Sequence, residues 1–525
     1  MKINTLKSLP DYIAGLKRLC LMVAILMATF TTYAQNVTIL PSGITPLPAG
    51  ALPRLSYDAI LALPSPTTGD MAVDLTFKCL RFYTGDRWAR LINDDDINLP
   101  AITAWAEGGT GNDYGYGVAT DNNGNIYVAG RFTGTATFES TSIVTTGGED
   151  IFLAKYNRAG ALQWVRKAGG SSDDRANAVA VDASGNAYIT GRFTGTATFG
   201  ATNLVGAGQQ DVFIAKYNTS GTLQWVKNAG SPGYDTGRGI CLSNNGSGVF
   251  VTGSFTNVAT FGDTTVTSQG NGDIFIAGCS SEGENWWVQT GGSPMDDEGY
   301  AIAVDNLNIY ATGYYRGNLV FSEGGLTNNG GSSDMFVVKY NADKVFQWAK
   351  KGSGPITEEG HGIVASSTGD VFVTGNFAGT ANFSGTDLTV YGAADAFLVK
   401  YNTDGDMQWV KQLGGTGLDI GYGLTRDANN NVYVTGSFES TGNFGGVSLT
   451  SNGDTDVFVA KFTSDGAVQW AQKAGGAGAD VSQAVAIDNA ANLYLTGYFS
   501  GSATFGNTII TSAGGIDVFI ARMKE

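Results

Sequence analysis

Histidine is almost missing from this chain: His361 stands alone among 525 residues. That count excludes a metal centre built from several imidazoles and any set of paired histidine bases. A Ser-His-Asp arrangement would have to use His361, and no GxSxG elbow accompanies it. Cysteine is scarce as well, and Cys20, Cys79, Cys241 and Cys279 form no CxxC pair and no metal-ligand spacing. Charge is sparse, 15% of residues, and tilted to acid, with 47 Asp and Glu against 31 Lys and Arg and a formal charge of −16. Nucleic-acid phosphates demand clustered cations, so that partner class is excluded, whereas cationic partners are electrostatically easier. Helix-forming runs of Ala, Glu, Lys and Leu are few. The 75 Gly, 27 Phe and 22 Tyr read instead as strands and loops.

Residues 1–34 have the order of a secretory signal: a basic flank (Lys2, Lys7, Lys17, Arg18), an apolar run from Leu19 to Phe30, and small residues ending at Ala34. The run is short for a membrane span, which needs ~20 residues, and Cys20 opens it instead of closing it, which disfavours a lipid anchor. No later segment is apolar enough to cross a bilayer. The expectation is an exported protein, extracellular, at the cell surface or periplasmic. Residues 35–100 form a Pro-rich spacer (Pro41, Pro46, Pro48, Pro53, Pro64, Pro66) with a short helix at Tyr57 to Leu63 and hairpin-like runs Met71 to Phe77, Leu80 to Tyr83 and Arg87 to Leu91. The pattern SPTTGDMAVDLTFKCLRFYTGDRW is similar to a short module near the ends of bacterial surface proteins.

From residue 101 a repeat governs the chain. Trp recurs at 105, 164, 225, 287, 348, 409 and 470, at intervals of 59, 61, 62, 61, 61 and 61. Each interval holds the same pieces, as in the copy after Trp409: an acidic Gly-rich loop GGTGLD, then GYGLTRD, NVYVTGSF, a variable excursion, DVFVAKF, the tight turn TSDG and AVQW. Four strand-like runs per copy, here a to d, predict one small antiparallel sheet per repeat. Strand a alternates small residues (Gly117, Ala178, Gly239, Ala301, Gly362, Gly423, Ala484) with Val118, Val179, Ile240, Ile302, Ile363, Leu424 and Val485. A strand apolar on both faces is buried on both sides, so strand a is expected innermost, with the Trp of strand d sealing the interfaces farther out. In this register Cys241 takes a small-residue position and Cys279 an aromatic one, as buried thiols would.

Seven such sheets predict an all-β, seven-bladed β-propeller over residues 101–525. The last copy stops at strand c (Asp517 to Arg522), and a strand d without a strand c opens the array (Ala101 to Ala106). Pairing 101–106 with 517–522 would close the ring and remove its free edges. These residues resemble the bacterial SBBP repeats, named for a seven-bladed β-propeller and related to NHL-type repeats, through the recurring YVTGxF, DxFxxKY, LQW and AGG elements from Trp105 onward. The resemblance implies the architecture and export, and no assigned chemistry.

Three series of residues could carry function. A carboxylate lies four residues before the small residue of strand a in every copy: Asp113, Asp174, Asp235, Asp297, Glu358, Asp419 and Asp480. As a ring on one axial face with neighbours roughly 8 Å apart, each adjacent pair would repel by about 2 kcal/mol at an effective dielectric of about 20. Backbone N–H groups of the Gly-rich loops are one source of compensation and a bound cation such as Ca²⁺ the other; no other cofactor is implied. A second series, Asp150, Asp211, Asp273, Asp334, Asp395, Asp456 and Asp517, opens strand c and suits a turn role. The third position varies where its surroundings do not: Tyr116, Asn177, Arg238, Tyr300, His361, Tyr422 and Gln483, placed on the d-to-a loops beside the excursions. All seven can hydrogen-bond, and variation on a rigid frame is how loops carry recognition, or mere tolerance at an exposed position.

Enzyme motifs are weak. Thr463 to Gly466 before Trp470 echoes the Asp box of sialidases with a different spacing, and Gly160 to Trp164 echoes quinoprotein repeats without their adjacent cysteines. The expected function is a non-catalytic binding or scaffold propeller presenting one face to a glycan, peptide or surface protein. The alternative is a polysaccharide hydrolase or lyase using carboxylates and Tyr of that face. The sequence does not define an oligomeric state.

Overall fold

Short polar turns set the strand lengths. In the computed structural model the a-to-b turn is an Asx turn: Asp121 Oδ1 accepts from the N–H groups of Asn123 and Asn125, both at 2.9 Å, and Asp182, Asp427 and Asp488 repeat the pattern. The c-to-d turn is the same device, with Asn157 Oδ1 accepting from Ala159 and Ala161 at 2.9 and 3.0 Å. The structure describes residues 101–524 apart from 329 and 331, and, before them, 37–40, 43–46, 54–55, 60, 62, 71–74, 79–83 and 88–90. The signal-like segment 1–34 and most of the short helix expected at 57–63 lie outside the described residues.

The chain divides into two units, Met1–Leu99 and Pro100–Glu525. In the first, Val37–Leu40 pairs with Gly43–Pro46, and Met71–Asp74, Cys79–Tyr83 and Trp88–Arg90 form an antiparallel meander, with Arg54–Leu55 parallel to its first strand.

The second unit is all β. Its seven inner strands are Tyr114–Thr120, Arg175–Val181, Thr236–Leu242, Glu298–Val304, Glu358–Ala365, Ile420–Arg426 and Val481–Ile487. Each lies against the inner strand of the next repeat, and Val481–Ile487 lies against Tyr114–Thr120, where Thr120 Oγ1 donates to the Ile487 carbonyl at 3.0 Å. Strands b, c and d follow outward, antiparallel throughout. Ala101–Gly109 pairs with the end of the chain, Glu107 opposite Val518 and Ala101 opposite Lys524, a register that puts Trp105 opposite Ile520.

The excursions between strands b and c vary in sequence but share one construction. Each described excursion contains a β-hairpin, such as Thr196–Phe199 with Thr202–Val205. In most repeats that hairpin pairs back onto the preceding strand d, as Ala168 does with Phe199 and Leu413 with Phe444. The backbone is thus spent on joining neighbouring sheets. A Phe of the hairpin packs on the Phe of strand c, with ring centroids 4.9 Å apart for Phe138 and Phe152 and 4.6 Å for Phe444 and Phe458.

Between sheets the core is a series of shared clusters. Tyr127, Leu153 and Trp164 of the first repeat, for example, pack with Ile189, Phe193 and Phe213 of the second. The Trp of strand d reaches the next repeat's c-to-d turn: Trp164 Nε1 donates to Thr219 O at 3.0 Å and Trp225 Nε1 to Ser281 O at 3.1 Å. The Lys of DxFxxKY converges on the same carbonyls, Lys155 at 3.2 Å and Lys216 at 3.0 Å, while lying over the strand-b Tyr of its own sheet. Cys279 is buried in one such cluster and Cys241 packs against another; both are free thiols, and burial pushes Cys279 up to about 12.

The turn under each Trp is Gly160, Gly221, Gly283, Gly405 or Gly466, all at positive φ, but Lys344 holds that place beneath Trp287 with φ 66°. A left-handed non-Gly residue costs roughly 1–2 kcal/mol. Lys344→Gly should therefore stabilise the fold by about 1 kcal/mol in urea unfolding, the lost cation–π contact being the smaller term. Gly405→Ala should do the reverse, since its Cβ would sit 2.9 Å from the Trp348 ring.

Candidate functional site

Strands a and b pair residue for residue except at one place in each repeat. The register skips Tyr116, Asn177, Arg238, Tyr300, His361, Tyr422 and Gln483 in turn. The variable position is thus a β-bulge, a device that re-aims a side chain. All seven bulge residues line one cavity of about 410 Å³, whose remaining wall is mainly the small and branched residues of strand a. This corrects the sequence placement: these residues belong to the inner strands, half-buried against a cavity, and not to exposed loops.

The side chains make contacts of their own. Tyr116 Oη accepts from Arg131 Nε at 3.1 Å, Asn177 Nδ2 donates to Gly237 O at 2.7 Å, and Arg238 Nε meets Glu298 Oε1 at 2.6 Å. His361 Nε2 donates to Asn376 Oδ1 at 2.8 Å and lies 3.7 Å from Glu359 Oε2. Its ring stacks on Tyr300 at 5.0 Å and abuts Tyr422 at 5.3 Å. Burial, with the Arg238 charge nearby, lowers its pKa to about 4 despite the Asn376 bond, so the imidazole is neutral near pH 7.

A second circle, two residues earlier on strand a, escaped the sequence reading. It runs Tyr114, Arg175, Thr236, Glu298, Glu359, Ile420 and Val481, opposite Arg131, Arg192, Ser254, Tyr314, Asn376, Ser437 and Tyr498 of strand b. Its chemistry changes by sector. The first three repeats carry four Arg counting Arg238, the next two carry Glu298 and Glu359, and the last two carry no charge. Burial raises the Glu359 pKa, while Glu298 is held by Arg238.

The two carboxylate series are not open to an axial face. Asp113, Asp174, Asp235, Asp297, Glu358, Asp419 and Asp480 are buried, as are the seven Asp of strand c. Asp174 accepts from Gly170 N at 2.7 Å and Thr194 N at 2.9 Å, and Asp113, Asp235, Asp297 and Asp419 have equivalent pairs of N–H donors. Asp150 and Asp273 each cap the N–H four residues earlier at 2.7 Å. The carboxylate that each member of the first series meets is the strand-c Asp of the previous sheet, not its ring neighbour: Asp113 with Asp517, Asp174 with Asp150, Asp480 with Asp456. Gly109 N donates to both members of one pair, at 2.8 and 3.1 Å. No group of three or more His, Cys, Asp or Glu among the described residues is arranged to hold a metal ion.

Three stretches, residues 88–131, 163–192 and 408–445, match the model of the SBBP β-propeller repeat. Those three stretches are SBBP β-propeller repeats. An uncharacterized WD repeat-containing protein of Acanthamoeba polyphaga mimivirus, L264, is 24% identical over 77% of this chain and 36% of its own length. The regulatory protein FlaEY of Caulobacter vibrioides is 27% identical over 30% of this chain and 17% of its own length. This chain therefore spans about a third of the first of those proteins and less of the second. Among solved structures, the Dos1 propeller aligns with 80% of this chain and 94% of its own at TM-score 0.40 and 7% identity. A phage phi92 endosialidase aligns with 84% and 71% at TM-score 0.34 and 12% identity.

The SBBP elements now have physical roles. In YVTG the Thr hydroxyl donates to the strand-c Phe carbonyl, at 2.8 Å for Thr190 and 2.7 Å for Thr374. The Gly after it faces the bulge: a Cβ on Gly375 would collide with the Glu359 carbonyl oxygen, and one on Gly130 with that of Tyr114. Gly375→Ala should therefore cost about 2 to 3 kcal/mol, as overpacking against backbone does, measured by urea unfolding.

The carboxylate pairs between repeats generate a pH dependence. Burial first, and the facing Asp second or later, raises Asp113, Asp174, Asp297, Asp419 and Asp480 to about 7, Asp235 to about 6 and Glu358 to about 8. Between about pH 4 and 7 the folded chain keeps protons that the unfolded chain has released, so stability falls as pH rises through this window. The thermal midpoint should be several degrees lower at pH 8 than at pH 5, and Asp480→Asn should flatten the slope. A midpoint that rises across that interval would contradict the retention of these protons in the fold.

Proposed function

We propose that the seven SBBP repeats close into a seven-bladed β-propeller whose axial cavity binds a ligand, and that the protein is an exported, non-catalytic recognition platform for a glycan, a peptide or a surface protein. Ring closure is supported by the pairing of Ala101–Gly109 with the chain end and by the Thr120–Ile487 bond. Export is supported by the order of residues 1–34. No helix among the described residues is long and apolar enough to cross a membrane. One observation carries the binding reading: seven bulges aim seven hydrogen-bonding side chains of five kinds into one cavity, on a frame that is otherwise nearly uniform. A repeat that served only as a spacer would have no need for this variation at its centre.

A second reading, a hydrolase or lyase acting on polysaccharide, is favoured by Glu298 and Glu359. They occupy the same circle in adjacent repeats, Glu298 ion-paired with Arg238 and Glu359 raised by burial, as the acid of such a pair would be.

Glycan- and peptide-array binding of residues 35–525 tests both. The platform reading expects retained ligand without turnover, and at least about tenfold weaker binding for Tyr300→Ala with Tyr422→Ala, circular dichroism and thermal midpoint being preserved. Undiminished binding in that variant would remove the cavity from the account. Release of reducing ends, abolished by Glu359→Gln, would establish the hydrolase instead.

A further inference from the structure

The cavity has one sector that repeat symmetry does not explain. Four guanidinium groups gather on the first three repeats of a chain whose net charge is −16: Arg175 and Arg238 line the cavity, and Arg131 and Arg192 stand behind on strand b, opposite Tyr114 and Arg175. Two of them are already paired, Arg131 with Glu149 and Arg238 with Glu298. The other two are not. Arg175 and Arg192 stand directly opposite each other across strands a and b, and among the described residues no carboxylate forms an ion pair with either. Arg192 donates to a neutral acceptor, Gln210 Oε1, at 2.9 Å. Arg175 lines the cavity with its guanidinium 5.7 Å from the centre of the Tyr116 ring, and its Nε is buried without an acceptor.

Facing guanidinium groups repel, and a buried donor left unmade is costly. With 47 acidic residues available, a purely structural solution would place one beside them. Resting on the cavity being a binding site, we propose that this sector recognises a carboxylate-bearing sugar, either free or as the terminal residue of a glycan, with Arg175 and Arg192 holding the carboxylate and the Tyr300–His361–Tyr422 wall holding the ring. A planar carboxylate suits the guanidinium fork. The aromatic faces and the amides of Asn177 and Gln483 suit a hydroxylated ring. A single negative charge fits this cavity better than a phosphate or sulfate polyanion does, because Glu298 and Glu359 stand in the adjoining sector.

The test is calorimetric titration of the protein with glucuronate, N-acetylneuraminate and an oligosaccharide ending in glucuronate, against glucose and glucose 6-phosphate. At least one acidic sugar should bind about tenfold or more tightly than either control, and more weakly as salt is raised. Preference for the oligosaccharide over free glucuronate would assign the glycan end as the source, and the reverse the free acid. Arg175→Gln and Arg192→Gln should each lose about 10- to 100-fold, with Arg175→Lys recovering part. Equal affinity for glucose, tighter binding of the phosphate, or binding undiminished in a folded Arg192→Gln protein would overturn the proposal. If array ligands depend on Tyr300 and Tyr422 yet ignore both Arg substitutions, the platform reading survives and this one fails.

Discussion

Neighbouring inner strands approach so closely that the contact admits nothing larger than a methyl group. A Cβ on Gly117 would lie 2.9 Å from Val179 N and 3.0 Å from Ala178 Cα; on Gly239 it would lie 3.0 Å from Ala301 Cα, and on Gly423 3.0 Å from Ala484 Cα. Hydrophobic stabilisation cannot come from such a contact, because little apolar area is available to bury. The burden moves outward to the Tyr, Phe and Trp layers, where Tyr127, Tyr188, Tyr310 and Tyr433 are all fully buried and flank a Trp. Close approach at the centre and bulk at the periphery are two sides of one wedge-shaped unit.

The same constraint creates the cavity. Where seven strands meet with small residues, one extra residue inserted before each small one has a single place to send its side chain, and the bulge sends it inward. The cost is a displaced carbonyl on strand a, which occupies the volume where strand b would carry a Cβ. Glycine in YVTG is the answer to that cost in every described repeat. Scaffold and site are therefore coupled through one residue: the glycine that permits the bulge also decides where the ring residue points.

Much of this was legible in the sequence. The Trp spacing, the alternation of strand a and the unmatched strands at the two ends led to the repeat unit and to a pairing of 101–106 with 517–522, which the structure places at 101–107 with 518–524. The variable position was found, but its setting was misread as a loop. A glycine inside an otherwise apolar strand is a standing signal of a bulge or close backbone approach, and Gly130, Gly191 and Gly253 carried it. The circle of Arg175, Glu298 and Glu359 went unseen because it lies on strand a one pleat beyond the variable residue, where side-chain alternation alone gives no reason to look. The carboxylates were read as a ring because one-dimensional spacing relates each to its copy. The three-dimensional partner, a strand-c Asp of the preceding sheet, sits at a separation that periodicity cannot rank. Residues 1–34, where the export reading rests, lie outside the described part of the chain.

Repetition itself separates structure from function here. Buried carboxylate pairs are costly, yet they recur between repeats, with backbone donors on both members in Asp113 with Asp517 and Asp174 with Asp150. A feature copied with the repeat must be tolerated by the repeat, and its cost is met locally by those donors and by a retained proton. The Arg175–Arg192 pair has no copy. The same two positions hold Thr236 with Ser254 in the next repeat and Val481 with Tyr498 in the last, so the fold does not require cations there, and among the described residues it supplies no carboxylate ion pair for them. Unequal chemistry at equivalent positions of a symmetric frame is what a ligand lacking that symmetry would need. It is the reason to look for function in one sector of the cavity rather than around its whole rim.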